Sequence, residues 1–232
     1  MPSTLRLEIV PHPETKGFAV RPLVDGAEPA IIAVAVGADP DDLLWPPEAP
    51  ALAATDVPRA VVVAICDCGV RGCGDVSVEI ARRGATVEWR AADGTVLTFD
   101  AAAYDAEVAR AAADRRWESP DRTAARLVRA ALPVEHLTRW RLAFEWASVH
   151  LRPATFTIAF TLEGDSFQLF LHVPWPEGAP VDDVVARALA LLATAPRDWP
   201  DVEYSAMRTG RVAPPRLAGP GWRPYSTRTQ RP

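Results

Sequence analysis

Cys66, Cys68 and Cys73 are the only cysteines of this 232-residue chain, and they fall within eight positions. Gly69, Gly72 and Gly74 are interleaved with them, so Cys66-Asp67-Cys68-Gly69-Val70-Arg71-Gly72-Cys73-Gly74-Asp75 reads as one unit. Two cysteines two positions apart on extended backbone put both thiols on the same face. The glycines admit left-handed backbone and close approach, which lets Cys73 fold back beside the pair. Three thiolates about one centre suit Zn²⁺, which takes four borderline or soft ligands in a tetrahedron. The fourth ligand then has to be His12, His136, His150, His172, Asp67, Asp75 or water. A second chemistry is a redox switch, in which Cys68 and Cys73 face each other across Gly69–Gly72 and bridge, with Arg71 lowering a thiol pKa. A catalytic thiol is a third use, and a purely structural turn with buried free thiols is a fourth. The spacing alone leaves all of them open.

Other catalytic signatures are absent from the sequence. It contains no G-x-G-x-x-G after a strand, no Walker loop, no H-E-x-x-H and no G-x-S-x-G. The acid pairs Asp41-Asp42 and Asp182-Asp183 sit at expected helix starts, where the helix dipole accounts for them. His172 is expected on a sheet face, bonded to Thr157 or Gln168, and His150 at a strand end. Among the eight tryptophans, Trp89, Trp140 and Trp146 fall on apolar strand faces and should pack in a core. Trp45, Trp175, Trp199 and Trp222 lie in Pro-rich loops and are candidates for a contact surface.

Composition limits the partners. At 49% hydrophobic the chain can bury one large core or two small ones. Its 23 prolines favour loops and sheet edges over long helices. The longest apolar run, Ala30 to Ala38, is about half a membrane span. Met1 to Val10 alternates like a strand and lacks the pattern of an export signal. With three clustered cysteines, that fits a reducing cytoplasm. Charge is uneven: residues 208–232 hold six arginines and no acid, so in a chain of net charge −5 residues 1–207 carry −11. This Pro-rich tail is expected to be disordered or laid over the acidic body. Trp222 and Tyr225 among its arginines suit stacking on bases, yet an acidic body repels phosphates. Nucleic acid therefore ranks last among partners, and a membrane is not expected.

The elements that must position these residues follow from period and punctuation. Leu5, Leu7 and Ile9 alternate, Phe18 to Pro22 form a second strand, and Asp25-Gly26 signals a turn. Ala30–Val36 reads as a strand, and Asp39-Pro40 opens a short helical turn to Trp45. Val61–Cys66 is an apolar strand. Val76 to Ile80, Ala85 to Trp89 and Thr95–Phe99 follow as a meander turning at Arg83-Gly84 and Asp93-Gly94. Asp100 caps a helix over Ala101–Arg116, with Phe99 and Tyr104 as a hydrophobic staple. A second helix opens at Ser119-Pro120 and runs to Pro133. Three alternating strands then span Trp140–Trp146, Phe156–Leu162 and Phe167–Val173. Gly164-Asp165, as a two-residue turn, pairs Leu162 with Phe167, Phe160 with Leu169, Ile158 with Leu171 and Phe156 with Val173. Val181, Val184, Ala188 and Leu192 form the stripe of a last helix.

The plan is strands then helices, twice. It predicts an α+β protein of antiparallel sheets with helices on one face, in two similar meander-plus-helix halves, and a disordered basic tail. The expected segments are 1–132, with the cysteine turn, 133–207, and the tail 208–232. An apolar strand, the turn Cys66-Asp67-Cys68-Gly69-Val70-Arg71-Gly72-Cys73, Val87-Glu88-Trp89, and Phe99-Asp100 before a helix with Tyr104 occur here in that order. In this the chain resembles a family of uncharacterised bacterial proteins common in actinobacteria, over about residues 60–112. That resemblance implies a C-x-C-G-x-x-G-C turn acting as a unit and brings no established activity. Many relatives carry Trp-Pro where this chain has Gly74-Asp75. The spacing C-x-C-x₄-C also resembles the zinc-binding tail of SET methyltransferases, but its fourth cysteine and the preceding domain are missing. The expected function is a non-enzymatic cytosolic binding protein with a protein partner, regulatory or immunity-like. A small zinc protein using Cys66, Cys68 and Cys73, with Zn²⁺ its one cofactor, is the alternative, and a thiol-redox protein the next.

Overall fold

The computed structural model describes residues 1–15, 17–32, 35–66, 68, 72–207 and 213–225. The chain is α+β and falls into two compact units, Met1–Trp117 and Glu118–Pro232.

In the first unit, β1 (Leu5–Pro11) and β2 (Phe18–Val24) pair antiparallel, with Leu5 opposite Val24 and Pro11 opposite Phe18. The loop that closes this hairpin lies at residues 12–17, where the His12 amide donates to the Gly17 carbonyl at 3.0 Å. Asp25-Gly26 is a true turn, with φ of 53° and 83°, but it ends β2. The strand expected over Ala30–Val36 is mostly not one. Pro29 starts a 3-10 turn at Ala30–Ile32, leaving a two-residue strand β3 (Val36–Gly37). Ala33 and Val34 lie outside the described residues.

Helix α1 (Pro40–Leu43) starts as expected, with the Asp39 carboxylate accepting from the Asp41 amide at 2.9 Å. Then β4 (Arg59–Ile65), β5 (Val76–Arg83), β6 (Thr86–Ala91) and β7 (Val96–Asp100) form the meander, with β3 on its far edge. Asp100 caps α2 (Ala101–Ala113) by accepting from the Ala103 amide at 2.9 Å. The helix stops three residues short of Arg116, because the Asp114 carboxylate holds the Arg116 amide and guanidinium instead. The staple forms: Phe99 and Tyr104 are buried with ring centroids 5.6 Å apart. Tyr104 donates to the Leu52 carbonyl at 2.7 Å and accepts from Trp89 Nε1 at 3.1 Å, so two aromatics enter the core without an orphaned polar atom.

In the second unit, α3 (Pro120–Ala130) and α4 (Val134–Arg139) precede β8 (Leu142–Ser148), β9 (Thr155–Leu162) and β10 (Phe167–Pro174). Helix α3 buries Ala124 and Val128 in this unit's core. The four expected cross-strand pairs of β9 and β10 are all present. Their turn spans residues 163–166, with positive φ at both Gly164 and Ser166. Helix α5 (Val181–Leu192) buries Val184, Ala188 and Leu192, and α3 and α5 pack over the apolar sheet face.

Strand β11 (Val202–Ala206) then adds antiparallel to β10, and β12 (Trp222–Pro224) adds parallel to β11. That last pairing corrects the expectation of a disordered tail for residues 213–225. The tail holds more aromatic surface than its arginines suggest. Trp222 stacks on Trp199 at 6.4 Å on one sheet face, and Tyr225 meets Phe170 at 5.1 Å on the other. Gly219 and Gly221 allow the close approach, since a Cβ on either would collide with the Arg197 or Pro200 carbonyl. The remaining tail, 208–212 and 226–232, lies outside the described residues.

Candidate functional site

The cysteine turn joins two neighbouring strands of one sheet. Cys66 follows the last residue of β4, and Val76 opens β5 two residues after Gly74. Two of the expected glycine roles are visible. Gly72 takes a φ of 81°, and a Cβ on Gly74 would come within 3.2 Å of the Cys66 Cβ. Asp75 Oδ1 accepts from the Gly72 amide at 2.8 Å and so closes the turn. Asp67, Gly69, Val70 and Arg71 lie outside the described residues, and with them Asp67 as a ligand and Arg71 as the group lowering a thiol pKa.

The three sulfur atoms do converge. Sγ of Cys66, Cys68 and Cys73 all lie within 4.8 Å of one another. Cys66 and Cys68 are joined as a disulfide, their Cα atoms 5.4 Å apart, and Cys73 is free. The expected bridge between Cys68 and Cys73 is therefore not the one present. The bridge that forms joins the two cysteines nearest in sequence. Burial is also corrected: Cys66 is half-buried, and Cys68 and Cys73 are exposed. Free thiols packed in a core, the purely structural reading, do not describe this turn.

Among the described residues no histidine or carboxylate joins the sulfur cluster. His12 Nδ1 accepts from the Glu14 amide at 3.2 Å. The other three histidines belong to the second unit. His136 Nε2 lies 2.9 Å from the Thr194 carbonyl, and His150 Nε2 lies 4.0 Å from Asp121. His172 bonds Thr157, as its strand position suggested, with Nδ1 and Oγ1 3.0 Å apart.

His172 is nonetheless part of a larger polar group. Its Nε2 lies 3.4 Å from Glu203 Oε2, without hydrogen-bond alignment. Arg223 joins Glu203 at 3.0 Å and Asp201 at 2.8 Å, and Arg152 reaches Asp201 at 2.9 Å. Burial lowers the His172 pKa, opposed by the charges of Glu203 and Asp201. Hydroxyl, imidazole and carboxylate thus stand in the order of a nucleophilic triad. Thr157 is fully buried and His172 only 1% exposed, so the hydroxyl is not presented to a substrate. This is a polar network, buried at Thr157 and His172 and open to solvent at its arginines, that links β9, β10, β11 and β12.

The tryptophans divide differently from their sequence setting. Trp89 is core as expected, and Trp146 is half-buried on β8 against Phe170 at 5.9 Å. Trp140 is the C-cap of α4, not part of a strand. Trp199, expected at a surface, is 1% exposed and donates to the Leu191 carbonyl at 2.9 Å. A feature that sequence spacing did not reveal is a concave pocket lined by Arg141, Arg197 and Arg216, which come from three distant stretches of chain.

No protein-family model, curated protein or solved structure matches this chain. Among the described residues no helix is long and apolar enough to cross a membrane.

Proposed function

We propose that the protein is a non-enzymatic binding protein whose cysteine turn takes up a soft metal ion, Zn²⁺ in the first place, on Cys66, Cys68 and Cys73. The observation that carries this is the convergence of three sulfurs within 4.8 Å on an exposed turn. A tetrahedral site with zinc–sulfur bonds of about 2.3 Å spaces its sulfurs about 3.8 Å apart, so reduction of the Cys66–Cys68 bridge must let that pair separate before all three thiolates can bind. Three protein ligands leave one position for water or for a donor from a partner. Such a site keeps an open position, unlike a closed four-ligand structural site. The metal requires all three thiols as thiolates, so binding releases protons and weakens as pH falls.

The test is elemental analysis of protein purified under reducing conditions without chelator. One zinc per chain, lost in each of Cys66→Ser, Cys68→Ser and Cys73→Ser, is the expected result. Metal-free protein that also fails to take up added zinc would end this reading. A second reading rests on the proximity of a Cys66–Cys68 disulfide to the free Cys73. In that arrangement the turn is a thiol–disulfide exchange site, with Cys73 the attacking thiol. Its mark is exchange of the bridge: the Cys73 thiolate attacks the Cys66–Cys68 disulfide, a new S–S bond forms as the old one breaks, and one thiolate is released. Peptide mapping of the alkylated, metal-free protein should then find a second bridge, to Cys73, that is absent in Cys73→Ser.

A further inference from the structure

The second unit carries a pocket of about 400 Å³ lined by Trp140, Arg141, Leu162, Arg197, Arg216 and Leu217, with Glu163, Asp165 and Ala218 completing it. We infer that this pocket binds a small phosphomonoester, its phosphate held by the three guanidinium groups and its organic part lying against Trp140, Leu162 and Leu217. The inference goes beyond the metal reading of the first unit and does not depend on it.

Three observations carry it. The first is that the arginines are delivered separately and are not neutralised by a described carboxylate, Arg197 lying only against the Trp140 ring. Arg141 follows α4, Arg197 sits in the 3-10 turn Pro196–Asp198, and Arg216 precedes β12 in the segment 213–225. Nearly every other arginine described in this unit is tied to a carboxylate, an aromatic ring or a backbone carbonyl. Among the described residues these three have no ion pair. Guanidinium groups lining one concavity repel each other, and a bound oxyanion lowers that cost while accepting N–H bonds.

The second observation is backbone conformation. Arg141 has a φ of 59°, the left-handed region that glycine or asparagine ordinarily fills just past a helix end. The position is fixed from both sides, the Arg141 amide donating to Thr138 and its carbonyl accepting from Glu163, each at 2.9 Å. The left-handed backbone at Arg141 is a local cost that a use for the side chain in the pocket would account for.

The third is presentation. The Arg197 guanidinium lies 5.9 Å from the centroid of the Trp140 indole. Stacked on an aromatic face, a guanidinium keeps its in-plane N–H groups free to bind an anion. Leu162 and Leu217 supply an apolar wall beside it, and the volume falls in the range of ordinary small-molecule sites.

Among the described lining residues Glu163 and Asp165 accompany the three arginines, so a compact phosphomonoester can reach the guanidinium groups where a triphosphate would also meet carboxylates.

The probes are phenyl phosphate, inorganic phosphate and a nucleoside 5′-monophosphate, titrated into the full chain by calorimetry. Phenyl phosphate is expected to bind one to one and at least ~10-fold tighter than inorganic phosphate, and to weaken as salt is raised. Arg197→Ala should weaken it at least ~10-fold, and Arg187→Ala, on the outer surface of α5, should not. Arg141→Gly is the sharper variant: relief of the left-handed backbone should raise the thermal midpoint by ~2–5 °C while affinity falls. Tighter binding of the nucleotide than of phenyl phosphate would identify the organic part as a nucleoside. In unmodified protein the Trp140 indole N–H resonance should shift on titration, a readout that needs no variant to fold. No saturable binding up to about 10 mM, or affinity unchanged in both arginine variants, would overturn the inference.

Discussion

The cysteine turn and the arginine pocket are assembled in opposite ways. The turn takes all three of its functional atoms from one short stretch between two neighbouring strands, closed by the bond from the Gly72 amide to the Asp75 carboxylate. The pocket takes one arginine from a helix end, one from a 3-10 turn and one from a segment that must first dock β12 on β11. The turn therefore depends on local backbone, and the pocket on the packing of its whole unit. Substitutions that disturb packing in the second unit should cost the pocket its ligand and leave the turn's metal untouched.

The largest expected effect comes from Trp199→Ala. Trp199 is buried between Phe160, at 5.7 Å, and Trp222, at 6.4 Å, two residues from Arg197. Truncation should cost about 3–5 kcal/mol in denaturant unfolding, the range for a large aromatic removed from a core. Phosphomonoester binding should vanish with it, since both Arg197 and the docked tail lose their support. Zinc content per chain should stay the same. Loss of zinc in this variant would break the contrast between the two regions.

The same contrast explains what the amino-acid order discloses. The β9–β10 register follows from alternation on both sides of Gly164, and the Asp100 cap and its staple follow from three residue types at fixed offsets. The sulfur cluster is equally local. Arg141, Arg197 and Arg216 have no such spacing, and nothing in the sequence reports that Arg141 is left-handed. Tail residues 213–225 misled for a related reason. Their arginines and prolines resemble a solvated arm, while their docking depends on Trp222, Tyr225 and two glycines meeting partners over neighbouring strands.

A middle-sized effect separates the two regions by pH. Burial holds the folded-state pKa of His172 below its ordinary value of 6.5. Between those two values the unfolded chain binds a proton that the folded chain refuses, so stability rises with pH through that window and is lost as pH falls through it. The slope from this one group is at most about 1.4 kcal/mol per pH unit. Glu203 and Asp201, which favour the protonated ring, and Arg152, which opposes it, set how steep it becomes. His172→Gln should flatten the stability profile of the second unit between pH 5 and 7, measured by urea unfolding at each pH. An unchanged profile would show that another group carries the dependence.

The smallest expected effect is that of Arg223→Ala. Its guanidinium bridges Glu203 at 3.0 Å and Asp201 at 2.8 Å, but the side chain is 44% exposed, and solvent screens much of the attraction. Global stability should fall by no more than about 1 kcal/mol. The local effect is larger in kind, because β12 is only three residues long and Arg223 is its charged anchor beside the stacked Trp222. Opening of this edge strand should become more frequent, read as faster amide exchange at Tyr225, whose N–H donates to the Tyr204 carbonyl at 2.8 Å. Arg216 lies on the same docked segment, so phenyl phosphate affinity should drop by a few-fold although Arg223 does not line the pocket. Faster exchange with unchanged affinity would mean that Arg216 keeps its place without β12, and would remove the docking of β12 from what the pocket requires.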